Sequence, residues 1–93
     1  LPYLSEAAEL RPTDADLAAQ VSSLLVEVGG DLARARDFAA RAVELAEASA
    51  TYRKVLARAL VAGGRTEEAR RELERAVLLD PKDREAKAEL QAL

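Results

Sequence analysis

Apolar residues recur along this chain at the spacing of one helical face, and short glycine-containing or polar breaks separate the stripes. Leu17, Ala18, Val21, Leu24, Leu25 and Val28 fall at i, i+1, i+4, i+7, i+8 and i+11, which predicts a helix with one buried side. Thr13 is a suitable N-cap for it, with Asp16 three residues on in a capping-box-like position. Tyr52, Val55, Leu56, Ala59 and Leu60 form an equivalent stripe. Gly29-Gly30 and Gly63-Gly64 follow the two stripes, and glycine accepts the left-handed backbone needed just past a helix end. Beyond each pair a second stripe begins. It comprises Leu32, Ala35, Ala39, Ala42, Val43 and Ala46 in one case, and Ala69, Leu73, Ala76, Val77 and Leu79 in the other. Asp31 and Thr66 are the expected caps of these helices. Asp80-Pro81 ends the later one, because the residue before proline is pushed out of the α region. A last segment, Lys82 to Leu93, sets Ala86, Leu90 and Leu93 on one face, and Tyr3 to Leu10 reads as a further helix closed by Arg11-Pro12. The pattern predicts about six helices.

Those stripes repeat. The pair Gly29-Gly30 recurs as Gly63-Gly64, a shift of 34 residues. The same shift carries Ala35 to Ala69, Arg36 to Arg70, Arg41 to Arg75, Ala42 to Ala76, Val43 to Val77 and Leu45 to Leu79. A helix–turn–helix unit of this period resembles the tetratricopeptide repeat, whose pattern is W-x2-L-G-x2-Y…A-x3-F…P. The second unit carries Leu56-Ala57 at the L-G positions, Leu60 at Y, Ala69 at the first small position, Leu73 at F, Ala76 at a second small position and Pro81 at P, while Arg53 stands at W. The first unit matches through Ala18, Val21, Ser22 and Leu25, then Ala35, Ala39 and Ala42. It needs one extra residue around Val28-Gly29-Gly30, and Glu47 or Ala48 replaces the closing proline. The resemblance divides the chain into residues 1–14 as the end of a truncated repeat, 15–49 as the first repeat, 50–83 as the second and 84–93 as a C-terminal capping helix. It implies an all-α fold, an α-solenoid of stacked helix-turn-helix units, right-handed as in the family. The chain opens on Leu1 and contains no Met, so it is expected to be a piece of a longer protein.

Composition supports the helical reading and explains its packing. Hydrophobic residues make up 49% of the 93, and alanine supplies nearly half of them. Alanine has the highest helix propensity, and Ile is absent. Small side chains let helix backbones cross closely where Ala57, Ala69 and Ala76, or Ser22, Ala35 and Ala42, face one another. The formal net charge is -3 with 33% charged residues, and this mixed balance disfavours a nucleic-acid binder, which needs a net basic face. No apolar run reaches the ~18–20 residues of a membrane span. The compartment is not encoded, with a cytoplasmic setting preferred for a soluble segment.

Chemistry is sparse. With no His and no Cys, the commonest general base and the strongest nucleophile are both missing. Ser5, Ser22, Ser23 and Ser49 have no histidine to activate them. Glu67, Glu68, Glu72 and Glu74 alternate with Arg70, Arg71 and Arg75 as a solvated helix face would. The Gly pairs lack the Lys-Ser/Thr of a phosphate loop and join helix to helix. The chain therefore reads as a non-enzymatic scaffold with no catalytic residue, cofactor or metal.

What remains is a surface for a protein or peptide partner. In the family the resemblance points to, the first helix of each unit lines a concave peptide groove. Carried over by position, that groove comprises Asp16, Ala19, Gln20, Ser23 and Glu27 from the first unit and Thr51, Lys54 and Arg58 from the second. Lys54 and Arg58 are suited to a carboxylate or acidic segment, Arg58 bidentately. The absence of Asn disfavours the clamp by which some members hold a chaperone's C-terminal carboxylate. Two other roles remain open: a structural spacer or oligomerisation module, with copies stacking through a repeat end, and a regulatory or targeting segment of a larger enzyme.

Overall fold

The computed structural model describes residues 14–93, and over them the chain forms five helices. They are α1 (Ala15–Glu27), α2 (Leu32–Leu45), α3 (Ala50–Ala62), α4 (Thr66–Leu79) and α5 (Arg84–Gln91). The expected helix from Tyr3 to Leu10 lies outside the described residues. Each helix is paired with its successor: α1 packs on α2, α2 on α3, α3 on α4 and α4 on α5, and α1 also reaches across to α3. This is the staircase of a helical-repeat solenoid.

Four of the five helix starts, that of α2 among them, are set by the same device. Asp14, Ser49 and Asp83 cap α1, α3 and α5, each accepting a hydrogen bond from the backbone N–H three residues on. Asp14, and not the expected Thr13, is the cap of α1. Starting from Asp14, these caps are spaced 35 and then 34 residues apart, so the first unit is one residue longer than the second.

The extra residue sits in the turn. Gly29 and Gly64 hold the positive φ angles, +66° and +81°. In each turn two backbone hydrogen bonds close a Schellman motif: Gly30 N–H to Leu25 and Gly29 N–H to Val26, then Arg65 N–H to Leu60 and Gly64 N–H to Val61. In the first turn Gly30 completes this motif and Asp31 follows as a separate cap, accepting from Arg34 N–H at 3.1 Å. In the second turn Arg65 fills both places. Thr66 is consequently the first residue of α4 rather than its cap, and α4 begins with no side-chain cap. Glu67 and Glu68 in its first turn offset the exposed N–H groups and the helix dipole instead.

The core follows the expected stripes with local exceptions. Ala35, Ala42, Ala69 and Ala76 are fully buried, with Ala57 and Ser22 beside them. Val28 caps the end of α1 and is 64% exposed, outside the stripe it was expected to extend. Leu79 likewise lies half open at the end of α4. Phe38, one residue before Ala39, is buried, and the guanidinium groups of Arg34 and Arg41 lie 5.5 and 5.1 Å from its ring centre. Flanking cations of this kind cover the ring face that the core leaves uncovered.

Candidate binding surface

Helices α1, α3 and α5 are the first members of successive units, and their outward sides form one face. Asp16, Gln20, Thr51 and Glu27 are exposed on it, and Ser23 is half-buried. Ala19 is only 7% exposed and belongs to the core cluster, so it is not available to a partner as its position implied. Lengthwise neighbours on this face are already tied together. The Tyr52 hydroxyl of α3 donates to the Asp16 carboxylate of α1. That hydrogen bond, followed by partial burial and the negative charges of Asp16 and Asp14, pushes the Tyr52 phenol up to about 12.

The two cations expected to meet a partner are engaged by the chain itself. Lys54 Nζ lies 2.7 Å from the Asp83 carboxylate, and both side chains are only 13% exposed. The Lys54 ammonium and the Ala86 N–H hold the Asp83 carboxyl below the usual carboxylate range. Arg58 donates through Nε to Glu89 at 2.8 Å and through Nη2 to Glu85. Asp83, the cap of α5, and two acids within that helix thus answer two cations of α3. On the opposite side of α3, Arg53 binds Glu72 of α4 at 2.9 Å and the Glu47 carbonyl at 3.1 Å. That arginine occupies the position of the family's tryptophan and bridges the two helices by charge where an indole would do so by packing.

Beside Arg58 the face hollows into a pocket of about 370 Å³. Its walls are Val26 of α1, Val61 and Ala62 of α3, and Ala92 and Leu93 at the chain's end, with Arg58 and Glu89 on the rim. Val61 is 43% exposed. Glu89 spends Oε1 on Arg58, whereas Oε2 is buried and has no hydrogen-bond donor among the described residues. Val26 and Val61 were not among the expected site residues. The signal for them was present: Val26 follows Ser23, and Val61 follows Arg58, by three residues, which continues the same helical face. A second hollow, between α2 and α4, is lined by Arg36, Arg71 and Arg75 with Glu68 and Glu72. No group of acids among the described residues is arranged to hold a metal ion, and no described helix is long and apolar enough to cross a membrane.

Comparison with known proteins agrees with the period and the helix pairing. A family model described as a tetratricopeptide repeat matches residues 28–93, the stretch from the first Schellman turn through α5. No curated protein matches the chain.

Proposed function

We propose that this chain, which belongs to the tetratricopeptide repeat family, is a scaffold that seats a protein or peptide segment across α1, α3 and α5. Repeats of this family are protein-interaction modules, typically without catalytic activity. The observation that carries the finer reading is the apolar hollow where α1, α3 and α5 converge, walled by Val26, Val61, Ala62, Ala92 and Leu93. An apolar recess rimmed by a few polar groups is the usual form of a side-chain anchor site. Asp16, Gln20, Ser23, Glu27 and Thr51 would supply the polar rim along which a bound segment runs. Lys54 and Arg58, already paired with α5, would act by fixing the third helix in place beside the recess.

Peptides selected from a random displayed library on the whole chain test this reading, with amide chemical shifts mapping where they bind. Perturbations are expected at Val26, Val61, Ala92 and Leu93 and along the rim. Val61→Lys should abolish binding without altering the circular dichroism, since the residue is half exposed. Selected peptides that map instead to Arg36, Arg71 and Arg75 would place the binding surface on the other side of the solenoid.

A further inference from the structure

Resting on that reading, we infer that the segment this face accepts is basic, with a lysine or arginine side chain as the group that enters the hollow. The argument begins with charge. The face built by α1, α3 and α5 carries the carboxylates of Asp16, Glu27, Asp83, Glu85 and Glu89 and the cations Lys54 and Arg58. Both cations are consumed internally: Lys54 by Asp83, and Arg58 by Glu85 and Glu89. Among the described residues Asp16 accepts only from a neutral hydroxyl, and Gln20, Ser23 and Thr51 are uncharged. Among the groups just named, carboxylates outnumber cations five to two, the reverse of what Lys54 and Arg58 suggest when read alone. An acidic segment would meet repulsion there, and a basic one would be steered in.

The hollow itself adds shape and a specific acceptor. At about 370 Å³ it lies near the lower end of the ~300–1,000 Å³ typical of ligand pockets. Lysine and arginine join an apolar stem to a charged head. The stem matches the wall of Val26, Val61, Ala62, Ala92 and Leu93, and the head reaches the rim where Glu89 stands. Glu89 Oε2 is shielded from solvent without a donor among the described residues, a costly state for a carboxylate oxygen. A turn of the Glu89 side chain, itself 30% exposed, presents that oxygen to a cationic N–H brought in by the partner and relieves it with a charge-assisted hydrogen bond. Arg58, held on Oε1, keeps the carboxylate in place for that purpose.

Three fluorescent peptides test the proposal. They share one short Leu/Ala framework and carry Lys, Glu or Gln at a central position, and their binding to the whole chain is read by anisotropy and amide shifts. The Lys peptide should bind tightest, and its affinity should fall as salt rises. Glu89→Gln should weaken the Lys peptide about tenfold, the scale of one lost charge-assisted hydrogen bond, and leave the Gln peptide unchanged. Glu74→Gln, an exposed carboxylate on α4, should alter neither. Val61→Lys, which should abolish binding of any peptide in the hollow, checks that the Lys peptide is held there. Tighter binding of the Glu peptide at the same residues would overturn the basic preference while leaving the groove reading intact. Equal binding of the Lys and Gln peptides would also overturn it, as would indifference of the Lys peptide to Glu89→Gln. If none of the three perturbs the face, this inference falls, and the displayed-library mapping separately decides the groove.

Discussion

Ser22 occupies in the first unit the place that Ala57 holds in the second, and both are shut away from solvent. Its hydroxyl finds no hydrogen-bond partner among the described residues. A hydroxyl left in that state costs about 1–3 kcal/mol relative to a satisfied one, and the equivalent site in the next unit shows that a methyl fills the space. Ser22→Ala is therefore expected to raise stability by about 1 kcal/mol, seen as a higher urea midpoint with an unchanged slope; a lower midpoint would mean the hydroxyl is satisfied after all. The opposite substitution has the opposite effect. Ala69 is fully buried at the close crossing of α3 and α4, and Ala69→Leu should cost about 1–3 kcal/mol by overpacking. A melt that does not shift would show that the crossing is looser than its burial indicates. Small residues here set the distance between helices, so volume matters more than polarity.

At the scale of elements, the helices and their order were legible in the sequence, and their ends were less so. The period placed the turns because two Gly pairs are hard to mistake. Which glycine in each pair takes the left-handed angle depends on where the helix stops, and the two units differ: Gly29 is first in its pair, Gly64 second. That one-residue offset also explains why Thr66 failed as a cap, since Arg65 already closed the preceding turn. It gives a direct test. Gly64→Ala places a Cβ at a φ of +81° and should cost about 1–2 kcal/mol. Gly63→Ala is strain-free, with nothing nearer its Cβ than 3.5 Å, and should be neutral or stabilising by up to ~1 kcal/mol through a stiffer unfolded chain. Thermal midpoints of the two variants should lie on opposite sides of, or at, the parent's; equal losses would contradict the assigned turn. The junction of α3 and α5 makes a pH prediction. The Asp83 carboxyl is held below its ordinary value by Lys54 first and the Ala86 N–H second. Its contribution is present above the unfolded carboxylate pKa and is lost as pH falls through the depressed folded value. Asp83→Asn should thus be less stable than the parent near neutrality, and the two melting curves should converge as the medium becomes acidic. A gap that persists in acid would show that the ionised carboxylate is not the source of the difference, since asparagine caps a helix as well as aspartate does.

For the whole molecule, the part that sequence reasoning could not reach is the partnership between α3 and α5. Lys54 and Arg58 are i and i+4 on one helix, which pattern alone can show, but their acids lie 29, 27 and 31 residues further on. Only the stacking of a third first-helix on α3 brings Asp83, Glu85 and Glu89 to them. The same stacking turns two cations that advertise an acidic partner into a neutralised seam. It also makes α5 structural, since Ala86 is fully buried and Leu90 and Leu93 pack against the core. In a solenoid each unit is stabilised through its neighbours, so an end helix protects the unit it covers. Ending the chain after Asp83 removes one buried alanine and two half-buried leucines, a loss of roughly 3 kcal/mol at ~0.8 kcal/mol per buried CH₂. Small domains hold only about 5–15 kcal/mol in all, so this loss should show plainly as a lower urea midpoint. The slope should fall as well, because less surface is then exposed on unfolding. The shortened chain keeps Asp83 but should lose Glu85 and Glu89, the acids that shield Arg58, and its face should then prefer the Glu peptide to the Lys peptide. An unchanged midpoint would show that α5 is an appendage, and an unchanged peptide preference would show that its acids do not set the charge of the face.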